Sequence, residues 1–261
     1  MHRFYIDEQQ HMGNEIRVTG EDVNHIKNVL RLKEGDRILL CNSVDTDHIC
    51  EIADLSEKGT VLCTVLESKK SDSELPVRIV LYQGLPKKDK MELIIQKCVE
   101  LGVTEIVPVT MKRCIVKIED EKSEAKKNLR WNEISRAAAK QSGRGIIPKV
   151  GRVMNFKEAL KKAASEDPEH LLVPYENENG ILSLKKFASE MAASLKKGSK
   201  PTVSVFIGPE GGFDESEIEE AKTAGATTVS LGRRILRTET AGLTTAAILM
   251  YETETGNDSL S

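Results

Sequence analysis

The sequence predicts an α/β protein, with a small β-rich unit followed by a larger domain built on a mostly parallel sheet. Three observations predict it. From Val77 onward, short apolar runs alternate with amphipathic stretches of ten or more residues, the signature of βα units. The first 70 or so residues lack that alternation; their apolar runs are separated by clusters of Asn, Ser, Asp and Gly. Between the two lies KKSDSELP (69–76), a polar stretch ending in proline, where a domain boundary is expected. A length of 261 residues fits one large domain or two smaller ones at about 150 residues each.

The elements follow in order. Thr19 is placed to cap a helix through Val23, Ile26, Asn28 and Leu30, with Asp22 in the capping-box position. Strands are expected at 37–41, 48–55 and 60–66, which closes a first domain over 1–72. The second domain, 73–254, carries strands at 77–82, 105–109, 171–173, 203–207 and 228–231. Helices are expected at 89–101, 124–141, 156–164, 184–195, 215–224 and 240–251. On the 124–141 stretch, Trp131, Ile134 and Ala138 have core spacing, while Arg136 and Lys140 share another face. Residues 255–261 read as a frayed, disordered tail.

Composition excludes several function classes. Apolar residues at 39% and charged residues at 30% suit a packed core rather than a disordered chain. The longest apolar stretch, Leu243–Tyr251, is far short of the roughly 20 residues that span a bilayer. The first ten residues hold no apolar signal region, so a cytoplasmic protein is expected. Five cysteines (Cys41, Cys50, Cys63, Cys98, Cys114) form no C-x-x-C pair and read as small buried hydrophobes in a reducing compartment. The five histidines show no metal-ligand spacing, so no metal is expected.

The net charge of −3 conceals an asymmetry. Residues 1–76 carry −6, residues 77–152 carry +8 and residues 153–261 carry −5. A basic segment between acidic ones suits a polyanion, although solvated helix faces are also lysine-rich. Aromatic residues make up only 4%, so stacking on many bases is not the expected mode of contact.

In a parallel α/β sheet, ligands bind beyond the carboxyl ends of strands, and three loops there carry chemistry. GPEGGF (208–213) follows a strand and precedes Asp214 and Glu217, a capping-box pair that opens a helix. Its glycines let the backbone approach a ligand closely. It matches neither the P-loop nor the G-x-G-x-x-G motif, which leaves an adenosine-bearing ligand open. LGRRILRTETA (231–241) packs three arginines, two threonines and a carboxylate into eight positions, with Thr238 placed to cap the next helix. Pro174-Tyr175-Glu176-Asn177 offers a carboxylate to a ribose, or is simply an exposed acidic turn.

Together these segments resemble the ribosomal RNA small subunit methyltransferase E family, of the SPOUT superfamily. The resemblance covers nearly the whole chain. It is carried by His2-Arg3-Phe4, HIKNVLRL (25–32), QGLPKKDKMELIIQKCVELGV (83–103), Arg113-Cys114, QSGR (141–144), GPEGGF and LGRRILRTETA. The chain departs from the family's pattern where Lys140 stands in place of a frequent Glu. The resemblance implies an N-terminal PUA-like RNA-binding β-barrel, a C-terminal α/β domain threaded into a trefoil knot, and a homodimer. It implies methylation of N3 of a uridine in small-subunit (16S) ribosomal RNA, naked or in the assembled subunit, with S-adenosyl-L-methionine as methyl donor. The donor is expected against Ile207, Gly208, Pro209, Glu210, Gly211, Gly212, Leu231, Gly232, Ile235, Leu236, Thr240 and Ala241, with Glu176 a weaker candidate. RNA contacts are expected from Arg3, His25, Arg31, Lys87, Lys88, Arg113 and Arg144.

Uridine N3 becomes nucleophilic only when its proton leaves, and the charge then spreads over O2 and O4. A guanidinium aimed there stabilises that anion. Arg237 is the candidate, with Glu239 the candidate base. N3 is a Watson–Crick edge atom, so the target must be unpaired or extruded. Two other readings stay open on residues alone: methylation of a ribose hydroxyl, and a non-catalytic RNA-binding role.

Overall fold

A computed structural model describes residues 1–44, 46–118, 120–167, 170–175, 182–195 and 200–255. Glu176 and the expected tail beyond Thr255 lie outside the described residues. The chain divides into two units: residues 1–74 with 139–147, and residues 75–138 with 148 onward.

The first unit is a six-stranded sheet in the order β1-β4-β5-β6-β3-β2. Its strands are β1 (His2–Tyr5), β2 (His11–Met12), β3 (Glu15–Thr19), β4 (Arg37–Cys41), β5 (Thr46–Asp54) and β6 (Thr60–Lys70). Every pairing is antiparallel except β1 with β4. Alternation in β3 turns Ile16 and Val18 inward onto Ile38, Leu40, Val61 and Cys63, as a one-sided sheet requires. The sheet curls, since His11 of β2 reaches the ring of His48 on β5 at 4.6 Å. Its hydrogen bonding is open: among the described residues no ladder joins β1 to β2, so the expected PUA-like β-barrel is not closed by hydrogen bonds. The Thr19 cap is not formed either. Thr19 ends β3, and Gly20 precedes the short helix α1 (Glu21–Asn24), which widens into a π-turn over His25–Val29.

A buried polar clasp holds 139–147 in this unit. Arg144, 3% exposed, donates from Nε and Nη2 to Glu74 at 2.8 and 2.6 Å. Glu74 also accepts the Gly145 amide at 2.9 Å. The Arg144 carbonyl accepts from the Tyr5 hydroxyl and from Arg3. Lys140, at the family's Glu position, pairs with Asp22 at 2.7 Å.

The second unit is an all-parallel sheet in the order β10-β8-β7-β12-β11-β13. It comprises β7 (Arg78–Gly84), β8 (Glu105–Thr110), β10 (Met154–Asn155), β11 (Leu171–Pro174), β12 (Thr202–Ile207) and β13 (Thr227–Val229), with the two-residue β9 (Lys149–Val150) also on the β8 edge. Helices α2 (Lys90–Glu100), α3 (Glu121–Ser142), α4 (Phe156–Glu166), α5 (Leu182–Ser194), α6 (Glu215–Thr223) and α7 (Thr238–Thr255) separate the strands. Both faces of the sheet are covered, so β7 and β12 read as near-continuous apolar runs. Tyr82 stacks on Phe206 between them at 4.4 Å, and Trp131 is buried, as its spacing predicts. Helix α7 packs against α2 and α5. No helix among the described residues is long and apolar enough to cross a membrane.

Candidate active site

At the carboxyl ends of β11, β12 and β13 lies a cavity of about 440 Å³, within the range of small-molecule sites. Its lining joins both loops singled out in the sequence: Ile207, Gly208, Pro209, Glu210, Gly211 and Gly212 on one side, Leu231, Gly232, Ile235, Leu236, Arg237 and Ala241 on the other. Pro174, Tyr175, Lys90, Phe213, Ser230, Arg233, Arg234 and Thr238 also line it. Thr240 and Glu239 do not line it.

Local chemistry explains each loop's path. Asp214 caps α6 and exchanges a capping box with Glu217, which stops β12's loop and starts the helix. The loop presses on residues 111–114: a Cβ on Gly211 would sit 2.9 Å from the Arg113 Cβ, so only glycine fits. Gly232 has φ +116°, a conformation that suits glycine, and a Cβ there would meet nothing within 4 Å.

Thr238 does not cap α7. It is the helix's first residue, and its hydroxyl donates to the Gly208 carbonyl at 2.6 Å and accepts from Gln83 Nε2 at 2.8 Å. Gln83, fully buried at the end of β7, also donates to the Gly84 carbonyl. One hydroxyl therefore ties the two loops together. Sequence reading missed Gln83, whose signal was a lone polar residue ending an apolar strand.

The charges have defined partners. Lys90 lies 3.2 Å from Glu210 Oε1 and 3.1 Å from Glu239 Oε2. The Glu239 bond leads the effects that raise the Lys90 ammonium above its ordinary value. Partial burial works to raise the Glu210 carboxyl, but the Lys87 amide and Lys90 outweigh it and hold it below its ordinary value. Arg233, Arg234 and Arg237 are exposed.

The sequence-predicted RNA contacts fall into two groups. Lys87, Lys88 and Arg113 are exposed beside the 208–213 loop: the Lys87 amide bonds Glu210, and Arg113 reaches the Gly211 carbonyl at 3.3 Å. In the other unit His25 and Arg31 are exposed, and Arg31 holds the left-handed conformation at φ +55°. Arg3 is mostly buried against Asp47 at 2.7 Å. Arg144 differs from its expected role: its guanidinium is buried in the Glu74 clasp and does not face solvent. The five cysteines are free thiols; burial pushes Cys98 up to about 12 and Cys41 up to about 11. No cluster of three metal-ligating side chains occurs among the described residues.

Comparison with known proteins agrees with this geometry. The RNA methyltransferase domain model matches residues 73–250, and the RNA methyltransferase PUA domain model matches 18–66. The chain is 38% identical to ribosomal RNA small subunit methyltransferase E of Bacillus subtilis (strain 168), over 97% of this chain and 98% of that protein. Identity to the protein of the same name from Mesomycoplasma hyopneumoniae (strain 232) is 32%, over 93% and 96%. The crystal structure of a ribosomal RNA small subunit methyltransferase E from Neisseria gonorrhoeae bound to S-adenosyl methionine superposes with a TM-score of 0.77 at 35% identity, covering 96% of this chain and 97% of that one. A parallel sheet whose two glycine- and arginine-bearing loops close one cavity, matched along almost its full length, places this chain in the ribosomal RNA small subunit methyltransferase E family.

Proposed function

We propose that this chain methylates N3 of a specific uridine in small-subunit (16S) ribosomal RNA, using S-adenosyl-L-methionine. The observation that carries the reading is the shared cavity of the 207–213 and 231–241 loops. Its residues fit the donor: bare backbone at Gly208, Gly211 and Gly232 offers amide and carbonyl groups, while Pro209, Ile235 and Leu236 offer apolar surface. When bound, S-adenosylmethionine supplies an electrophilic methyl group on a sulfonium.

The chain's own residues do the rest. Loop backbone from Ile207–Gly212 and Leu231–Leu236 holds and orients the donor, with Ala241 closing the wall, and such positioning supplies several kcal/mol of rate enhancement. Arg237 lines the cavity, is exposed, and carries the charge that stabilises a uridine anion. Glu239 is the candidate acceptor of the N3 proton; Lys90 fixes its carboxylate just outside the cavity lining, so solvent is the competing acceptor. Lys87, Lys88 and Arg113 contact RNA phosphates beside the cavity, with His25 and Arg31 contributing from the PUA-like unit. Such contacts set register, not sequence. Arg3 acts mainly through Asp47 in this reading.

The same reading assigns residues 1–72 to RNA binding and 73–254 to methyl transfer, in the cytoplasm. It also takes the C-terminal segment to be threaded as a trefoil knot and the protein to be a homodimer. Helix α7 supports the dimer, because it leaves the large side chain of Tyr251 64% exposed.

Nucleoside analysis of 16S rRNA from cells lacking this protein tests the proposal. One N3-methyluridine should disappear, return with the wild-type gene, and fail to return with Arg237→Ala. Loss of a ribose-methylated nucleoside instead, or of none, refutes it.

A further inference from the structure

Resting on that reading, the geometry points to Lys90 as a positioning residue that fixes the two cavity loops relative to each other. Lys90 opens α2, directly after the 85–89 turn, and its side chain reaches the cavity wall. Its ammonium joins Glu210, in the loop after β12, to Glu239, in the first turn of α7. Three elements distant in sequence therefore meet at one charged node. The side chains of Lys90, Glu210 and Glu239 are 27%, 26% and 15% exposed, so water screens them less than an open surface pair. Glu210 is anchored again by the Lys87 amide at 3.0 Å, which leaves it little freedom to swing away.

The two carboxylates share one ammonium and so lie within about 6 Å of each other, where unlike a solvated pair they repel once that ammonium is removed. Repulsion acts on the segments that form opposite walls. Loss of Lys90 thus widens the separation of the loops without touching the glycine backbone or Arg237. The Thr238 hydroxyl ties the same loops from the β7 side, so Lys90 and Thr238 are two independent fastenings of one cleft.

The test uses the full-length protein with Lys90→Met, Lys90→Arg and the double variant Lys90→Met/Glu210→Gln. Calorimetry with S-adenosylmethionine is followed by steady-state kinetics on 16S rRNA. Lys90→Met should weaken donor binding about tenfold and raise its KM equally, with any fall in kcat reporting the loss of Glu239's partner. Lys90→Arg should recover most of the affinity. Removing one of the repelling acids in the double variant should recover part of it. Unchanged donor affinity in Lys90→Met overturns the inference, as does a rise confined to the KM for RNA, which would make Lys90 a phosphate contact. Should Lys90→Met fail to fold, equal loss in Lys90→Arg and no recovery in the double variant overturn it too. Absence of donor binding by the wild-type protein refutes the methyltransferase reading itself, a separate outcome.

Discussion

Replacing Thr238 with Val removes one buried hydroxyl and almost no volume. Thr238 is 5% exposed. Its oxygen makes two hydrogen bonds, to Gly208 at 2.6 Å and from Gln83 at 2.8 Å. Each buried bond contributes a net ~1 kcal/mol. Gln83 keeps its second bond, to the Gly84 carbonyl, so the Gly208 carbonyl is the group left without its donor. The Gly208 acceptor is part-buried, so orphaning it adds at most ~1 kcal/mol, and valine leaves no cavity. The expected loss is about 2–3 kcal/mol, which for a chain of this size lowers Tm by roughly 5–10 °C. Urea unfolding of the full chain measures it, with Thr238→Ser as the control that keeps the hydroxyl. A loss below about 0.5 kcal/mol, or equal damage from serine, would refute the claim that this hydroxyl fastens the loops.

Three further outcomes are expected. Arg144→Met should destabilise by about 3 kcal/mol, because it leaves the Glu74 carboxylate buried without its cation; Arg144→Met/Glu74→Leu should recover much of that, and urea midpoints decide. Gly211→Ala should force the loop off Arg113, costing about 1–2 kcal/mol and weakening donor affinity in calorimetry. Glu210, Glu166 and Asp214 are all held below their ordinary values. Their contribution is complete above about pH 4.5 and is lost as pH falls through the lower folded-state values. Stability should therefore drop on acidification below that point, and Glu210→Gln should flatten the acid limb.

The alternation of apolar runs and amphipathic stretches made the parallel sheet and its helices legible, because a sheet buried on both faces requires such runs. Strands β1, β2 and β3 escaped notice; they are two to five residues long, too short for an alternation to stand out. The two-residue strands β9 and β10 left no periodic trace. Both cavity loops were visible from their glycines and arginines. Their fastening was not, since Gln83 and Lys90 act through partners more than 100 residues away. Charge counting also misjudged Arg144. A cation in a Gly-flanked turn looks solvent-facing until the buried Glu74 that neutralises it is seen.

The cavity wall also sets an order of events during synthesis. Residues 230–241 supply one side of it and run into α7, which packs on α2 and α5. The ribosome releases this stretch after the strands that receive it. A nascent chain is thus a ligand-incompetent scaffold until α7 docks, so errors within residues 230–255 abolish the pocket while leaving most of the sheet intact.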